Sequence, residues 1–142
     1  IVILIAKALH LTPWFVVAAG LLSIIGHSAS LFLKFHGGKG VATSLGVVVG
    51  LNPIIASISF ALWLVLVAST RYVSVASIIA CVSVPVLMIL SPSLFDTRVD
   101  LPYILFALAA AVLIIIKHNA NISRLIKRTE PKFGQKVSTR EE

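Results

Sequence analysis

Six apolar segments, separated by short polar breaks, constrain the fold more than any other feature of the sequence. They cover residues 1–6, 13–26, 41–51, 53–69, 73–90 and 101–116. A helix that crosses a bilayer needs about 20 apolar residues, within a range of roughly 17–25. The last three segments approach that length, the second and third need their flanks to complete a crossing, and the first is a stub. The sequence therefore predicts an all-α, polytopic membrane helix bundle with about five full transmembrane helices and an N-terminal helix stub.

The composition agrees with a membrane protein. Of the 142 residues, 58% are hydrophobic and 12% are charged, whereas a soluble domain has about 25% charged residues. The one cysteine, Cys81, has no partner, which excludes a disulfide framework. Ile1 opens on an apolar run without a charged n-region or a cleavage site, so we do not expect a signal peptide. We expect instead that an upstream part of the natural chain is missing.

Local signals divide the segments. Thr12-Pro13 predicts a helix start, and Asn52-Pro53 predicts the end of one helix and the start of the next as a tight hairpin. Pro85 falls inside the fifth segment, where a kink is tolerated if neighbouring helices satisfy the freed carbonyl. Small residues recur at four-residue spacing, which predicts close helix packing. These pairs are Gly46 with Gly50 and Ser57 with Ala61.

Basic residues are distributed unevenly between the two ends of the predicted helices. Counting loops alternately places Lys7 and Arg98 at one end, and the other ten of the twelve Lys and Arg residues at the opposite end. Those ten are Lys34, Lys39, Arg71, Lys117, Arg124, Lys127, Arg128, Lys132, Lys136 and Arg140. The positive-inside rule places the rich end, including the C-terminus, in the cytoplasm. We expect residues 1–116 to form the bundle with phosphate-binding loops at its cytoplasmic end, and residues 117–142 a basic segment whose distal part is flexible.

Glycines surround a lysine at the rich end, immediately before an apolar helix. Gly37, Gly38 and Gly40 flank Lys39, and Thr43 is the nearest following hydroxyl. Glycines let backbone N–H groups approach an anion, and a helix N-terminus adds partial positive charge. The spacing is not that of a Walker A loop. The pattern fits either a phosphate site or a flexible basic loop that touches lipid head groups.

Two further clusters lie at the same end. Ser74 and Ser77 share a helix face just after Arg71, which fits a second anion site or a capped helix with a snorkelling arginine; taken alone, the pattern favours the capped helix. Beyond the last segment, His118 and Asn121 share a face that Arg124 continues. A lone histidine at a membrane interface usually has no chemical role. Three clusters at one membrane face that could each bind phosphate nevertheless favour an anion site.

These motifs resemble one known family. The chain is similar to the bacterial acyl-phosphate:glycerol-3-phosphate acyltransferases of the PlsY type. The resemblance rests on Gly26-His27, on Phe32-Leu33-x-Phe35-x-Gly37-Gly38-Lys39-Gly40-Val41-Ala42-Thr43, on Arg71-Tyr72-x-Ser74-x-Ala76-Ser77, on His118-x-x-Asn121-Ile122-x-Arg124-Leu125 and on Thr129-Glu130-Pro131-Lys132.

The resemblance implies a function and a set of site residues. It implies seven helices in the intact protein, a bacterial inner-membrane location, and transfer of an acyl group from acyl phosphate to the 1-hydroxyl of glycerol 3-phosphate. Lys39, His118 and Asn121 are the implied catalytic residues. The implied substrate-binding residues are Gly37, Gly38, Gly40, Thr43, Arg71, Ser74, Ser77, His27, Arg124 and Glu130. The family's Ser-Gly-Asn loop, which precedes these motifs, does not occur in this sequence, so we do not expect these 142 residues alone to be active.

We expect the site to catalyse the reaction by positioning the substrates and by stabilising their negative charge electrostatically. The acyl donor is already activated, Cys81 has no adjacent histidine, and the apolar segments contain no Asp or Glu to act as a base. We expect no metal, no cofactor and no nucleic-acid partner. The expected partners are glycerol 3-phosphate, acyl phosphate, membrane lipids and a soluble enzyme that produces acyl phosphate.

Two other classes remain open from the residues. A transporter or channel would pack its helices through small residues. An ion-coupled transporter usually carries an ionisable residue within the membrane, whereas the apolar segments of this sequence contain no Asp or Glu. A structural membrane protein with a basic, lipid-binding tail fits residues 129–142.

Overall fold

The computed structural model describes residues 1–29 and 37–135. This part of the chain contains seven helices. They are α1 (Val2–Ala8), α2 (Pro13–Ser28), α3 (Val41–Leu51), α4 (Pro53–Thr70), α5 (Val73–Phe95), α6 (Leu101–Lys117) and α7 (Asn119–Ile126). The sequence predictions for Phe32, Leu33, Lys34, Phe35, Lys136 and Arg140 lie outside the described residues.

The predicted helix boundaries are confirmed. Pro13 is the first residue of α2, and Asn52 separates α3 from α4, where its side-chain oxygen accepts a hydrogen bond from the Ile55 N–H at 3.0 Å. Helix α5 continues through Pro85 and through a second proline, Pro92. Local proline and asparagine signals therefore explain the start of α2 and the boundary between α3 and α4, whereas α5 runs to Phe95, beyond the predicted segment end at residue 90.

Within residues 1–29 and 37–135, two helices are long and apolar enough to cross a membrane, α4 and α5. The pair α6 and α7, bent by 57°, passes the same test if it forms one broken span. Helices α2 and α3 have 16 and 11 residues, so they are shorter than a perpendicular span, as predicted. The all-α, polytopic membrane class is confirmed, with two or three helices rather than five reaching full length in the described chain.

The core joins α2, α4, α5 and α6 through large apolar side chains. Its largest fully buried members are Phe106, Ile24, Ile55 and Met88. Gly20 allows α2 to approach this core, because a Cβ there would lie 2.9 Å from Val47 and 3.2 Å from Phe106.

The predicted small-residue contacts are only partly present. A Cβ on Gly50 would lie 2.8 Å from Ile3, so Gly50 does permit close packing of α1 on α3. Apart from the neighbouring backbone of α3, no heavy atom of the described residues lies within 4 Å of a Cβ built on Gly46, and Ser57 and Ala61 are exposed on α4. The packing prediction is therefore wrong for these three residues, because four-residue spacing does not reveal which helix face meets a neighbour.

The two ends of the bundle differ in charge. At one end, Lys7 Nζ donates to the Leu51 carbonyl at 3.0 Å and lies 6.0 Å from the centre of the Tyr103 ring. At the other end, Lys39, Arg71 and Lys117 all bond to partners on other segments. The basic clusters therefore meet at one end of the helices, and the candidate site lies there.

Candidate active site

A cavity of about 680 Å³ opens at the basic end and continues between α3, α4, α5 and α6. Its polar lining residues are His27, Lys39, Ser44, Ser59, Ser74, Ser77, His118, Asn121 and Glu130, with Gly40 beside them. Its apolar lining includes Val48, Phe60, Trp63, Val84, Ala107 and Ala110. The cavity thus joins a polar compartment at the helix ends to an apolar compartment between the helices.

A chain of hydrogen bonds crosses the polar compartment. Lys39 Nζ donates to Asn121 Oδ1 at 2.6 Å, and Asn121 Nδ2 donates to Glu130 Oε1 at 2.6 Å. Arg124 Nε donates to the other carboxylate oxygen, Glu130 Oε2, at 2.7 Å. Because an ammonium group has three donors, Lys39 keeps N–H groups for an anion in the cavity.

Glu130 is 9% exposed and is the acidic member of this chain. Burial raises the pKa of its carboxyl, but the hydrogen bonds from Asn121 and Arg124, the nearby Ser74 hydroxyl and the charge of Arg124 outweigh burial and hold that pKa below its usual range. The Ser74 hydroxyl lies close enough to affect this carboxyl, although it does not reach full hydrogen-bond geometry. Glu130 is therefore an ionised, paired carboxylate, and its charge is offset by Arg124.

His118 follows the last residue of α6 and is 2% exposed. Its Nδ1 lies 2.8 Å from the Ile114 carbonyl, which requires the proton on Nδ1 and leaves Nε2 as an acceptor. Burial lowers the pKa of His118, and the Lys39 charge lowers it further against the opposing effects of the Ile114 bond and Glu130. A neutral imidazole therefore lines the cavity, and its Nε2 has no hydrogen-bond partner among residues 1–29 and 37–135.

The glycines of the basic loop have a steric role against α2. A Cβ on Gly37 would collide with the His27 carbonyl, and one on Gly38 would lie 2.6 Å from His27 Nε2. Gly40 has φ +80°, in the left-handed region, and a Cβ there would lie 3.0 Å from Ser28 Oγ. Because no side chain separates them, residues 37–40 pack closely against the end of α2, and this packing sets the direction in which α3 starts.

Two buried hydroxyls at the cavity wall have no hydrogen-bond partner among the described residues. They are Ser44 Oγ in the first turn of α3 and Ser74 Oγ in the first turn of α5, and each residue is 5% exposed. Unpaired buried polar groups are rare and costly in folded proteins. Since each hydroxyl lies at a helix N-terminus, where partial positive charge favours anions, both are suited to donate to a bound anion.

The sequence predictions differ in how they map onto the cavity. The residues that line it are His27, Lys39, Gly40, Ser74, Ser77, His118, Asn121 and Glu130. Gly37, Gly38, Thr43, Arg71 and Arg124 do not. Arg124 contacts the site through its hydrogen bond to Glu130, and Ser77 Oγ accepts a hydrogen bond from Trp63 Nε1 at 3.1 Å.

Arg71 is the largest departure from the expected arrangement. Its guanidinium donates to the Phe133 carbonyl, from Nε at 3.2 Å and from Nη2 at 2.9 Å. The structure thus places Arg71 against the C-terminal segment and not in the cavity wall.

Sequence reasoning missed Ser44 and Trp63. The family motif implies Thr43, but helical geometry places Ser44, four residues after Gly40, on the cavity face. Among residues 1–29 and 37–135, no group of three or more His, Cys, Asp or Glu side chains is arranged to hold a metal ion.

Comparison with known proteins identifies the family. The model of the family described as glycerol-3-phosphate acyltransferase matches residues 1–128. The chain belongs to this family. Glycerol-3-phosphate acyltransferase of Trichormus variabilis is 43% identical over 130 residues, which are 92% of this chain and 55% of that protein. The enzyme of Synechococcus sp. strain JA-3-3Ab is 46% identical over 125 residues, 88% of this chain and 59% of that protein.

Solved structures agree with the family assignment. Two crystal structures of PlsY, an integral membrane glycerol 3-phosphate acyltransferase, in a glycerol 3-phosphate form and a lysophosphatidic acid form, superpose with a TM-score of 0.84 at 35% identity. The match covers 94% of this chain and 64–65% of those chains. This chain therefore spans between about half and two-thirds of the length of its relatives, and the resemblance to the PlsY family is confirmed.

Proposed function

We propose that the protein containing this chain is a membrane acyltransferase of phospholipid synthesis. It moves an acyl group from acyl phosphate to the 1-hydroxyl of glycerol 3-phosphate, and the products are lysophosphatidic acid and inorganic phosphate. The observation that carries the proposal is the two-part cavity. In it, Lys39 and the buried Ser44 and Ser74 hydroxyls, which have no hydrogen-bond partner within the described part of the chain, meet an apolar compartment between helices. The names of its relatives support acyl transfer to glycerol 3-phosphate.

The polar compartment is suited to phosphate. Lys39 supplies a full positive charge, and the N-termini of α3 and α5 supply partial charge beside Ser44 and Ser74. Each donor is held by the fold before substrate arrives, so little reorganisation is needed as negative charge develops on the leaving phosphate.

The apolar compartment is suited to an acyl chain. Along α6, Ala110 lies eight residues from His118, and eight residues of helix span about 12 Å. Phe60, Trp63 and Val84 complete this wall. An acyl phosphate would therefore place its anionic head at Lys39 and its tail between the helices.

The proposed reaction is a direct displacement. The 1-hydroxyl oxygen of glycerol 3-phosphate attacks the acyl carbonyl carbon, the bond from that carbon to the phosphate oxygen breaks, and phosphate leaves with the electron pair. The hydroxyl proton passes to His118 Nε2, the neutral acceptor in the cavity wall, or to the departing phosphate. Asn121 holds Lys39 in place.

The wider setting belongs to the same proposal. The protein lies in the bacterial inner membrane with its C-terminus in the cytoplasm, because the basic residues lie at that end. A soluble enzyme supplies acyl phosphate from the cytoplasm. Residues 1–116 form the bundle and residues 117–142 the basic cytoplasmic segment. The family match favours this function over a transporter or a structural membrane protein.

The test uses membranes containing the full-length protein, labelled glycerol 3-phosphate and palmitoyl phosphate, without coenzyme A or carrier protein. We expect labelled lysophosphatidate and its loss in Lys39→Ala, with exposed Lys127→Ala as the matched control. Uptake of label without acylation would instead assign transport, and unchanged acyl transfer in Lys39→Ala at subsaturating substrate would remove Lys39 from the site.

A further inference from the structure

The segment after α7 folds back and is fastened to the loop between α4 and α5. The Phe133 N–H donates to the Arg71 carbonyl at 2.7 Å, while the Arg71 guanidinium donates twice to the Phe133 carbonyl. Two residues 62 positions apart therefore share three hydrogen bonds, which we call the Arg71–Phe133 clamp.

Neighbouring contacts hold the same turn. Lys132 Nζ lies 5.4 Å from the centre of the Tyr72 ring, and the Lys132 N–H donates to Gln135 Oε1 at 3.1 Å. Gly134 has φ +76°, a conformation that suits glycine, and a Cβ there would lie 3.6 Å from Arg71 Nη2. The turn is thus shaped to present the Phe133 carbonyl to Arg71.

The clamp lies three residues from a residue of the site. Glu130 reaches Asn121, which is 7% exposed, and Asn121 reaches Lys39. Arg71 itself is exposed and does not line the cavity. The continuous path from the clamp through Glu130 and Asn121 to Lys39 connects the C-terminal segment to the ammonium group in the cavity.

We propose that Arg71 is a positioning residue, which fixes the C-terminal segment so that Glu130 orients Asn121 and Asn121 holds Lys39 against the phosphate compartment. This inference rests on the proposed function of the same site. It differs from the expectation that Arg71 binds phosphate directly, because the guanidinium hydrogens on Nε and Nη2 are directed at a backbone carbonyl. A purely structural anchor would fasten the segment without affecting Lys39.

Arg71→Gly tests the clamp with little disturbance of the fold. Arg71 is the C-cap of α4 with φ 61°, and glycine adopts that conformation more readily than arginine. We expect kcat/KM for lysophosphatidate formation to fall about tenfold, the equivalent of one hydrogen bond to a charged group. Gly134→Ala, which leaves the Arg71 side chain unaltered but strains the same turn because residue 134 has a positive φ, is expected to lower kcat/KM in the same direction. Phe133→Ala is the matched control, because its side chain is 66% exposed and the substitution keeps both backbone groups.

Limited trypsin digestion tests whether the clamp holds the C-terminal segment, and it needs no activity assay. Cleavage after Arg128 and Lys132, both exposed, is expected to accelerate in Arg71→Gly and to stay unchanged in Phe133→Ala. If cleavage in Arg71→Gly matches that of the unaltered protein, the clamp does not hold the segment and the inference is overturned.

A double-mutant cycle separates positioning from direct binding. If Arg71 acts through Glu130, then Arg71→Gly lowers kcat/KM less than about twofold in a Glu130→Gln background, because coupled residues are not additive. Additive losses, with a rise in KM for one phosphate substrate, would make Arg71 an independent phosphate ligand and would overturn the inference. Absence of lysophosphatidate formation in the unaltered protein would refute the proposed function instead, while the trypsin result would still decide whether the clamp exists.

Discussion

Replacing Ser44 by alanine should raise the free energy of unfolding and, at the same time, lower kcat/KM for acyl transfer. The Ser44 hydroxyl is buried at the cavity wall without a partner among the described residues. An unsatisfied buried polar group costs roughly 1–3 kcal/mol, and alanine is also the better helix former. We therefore expect Ser44→Ala to raise the free energy of unfolding by about 1 kcal/mol.

The effect on catalysis has the opposite sign. If Ser44 donates to a substrate phosphate, its removal loses a hydrogen bond to a charged group, worth about 1.5–3 kcal/mol. Since each 1.4 kcal/mol corresponds to about a tenfold change, kcat/KM for acyl transfer should fall roughly 10- to 100-fold. Initial rates at subsaturating glycerol 3-phosphate and at subsaturating acyl phosphate would show which phosphate Ser44 contacts.

The matched control is Ser57→Ala on α4. Ser57 is exposed, and its hydroxyl donates to its own helix, to the Pro53 carbonyl at 2.8 Å. The same chemical change there should leave kcat/KM unaltered. The reasoning is refuted if Ser44→Ala retains full activity, or if its unfolding transition in detergent moves to a lower temperature, since the hydroxyl would then have a partner.

Three other predictions concern the same cavity. Lys39→Ala should reduce kcat/KM by at least about 100-fold, because it removes the full charge placed for phosphate; Lys127→Ala should not. The ionised Glu130 carboxylate should stabilise the fold at pH values above its ordinary pKa of about 4.3. This stabilisation should disappear as the pH falls through the lower pKa that Glu130 has in the folded protein. The unfolding temperature of Glu130→Gln should therefore fall less on acidification than that of the unaltered protein. Ala110→Leu should shift the preferred acyl phosphate to a shorter acyl chain in competition assays, because it fills the apolar compartment. The control is Ala109→Leu, and if both variants prefer the same acyl chain length, the acyl chain lies elsewhere.

Local chemistry explains which parts of the fold were predictable. A proline at the first helical position and a capping asparagine act within four residues, so the starts of α2 and α4 could be derived from the sequence. The His118 and Asn121 face was predictable for the same reason, since helical spacing is local. Both residues line the cavity.

Long-range contacts explain what the sequence did not reveal. The partner of Arg71 is a backbone carbonyl on Phe133, and a backbone group carries no signature in the side-chain pattern. Gly37 and Gly38 suit an anion loop, but their contacts are with His27 and depend on how α2 ends against that loop. Spacing identifies residue types that can bind an anion, whereas packing decides which of them reach it.

The Glu130 carboxylate orients Asn121, even though it lies in the proposed phosphate site and carries a negative charge itself. An asparagine amide can turn over and exchange its donor and acceptor ends, and an ammonium group accepts only the oxygen end. Because Glu130 is ionised and accepts from Asn121 Nδ2, it fixes the amide with Oδ1 towards Lys39. Arg124 offsets the negative charge that this arrangement brings near the cavity. One paired acid in the lining of the polar compartment thereby orients the lysine of the same compartment, and this explains how an acidic residue is compatible with the proposed phosphate binding there.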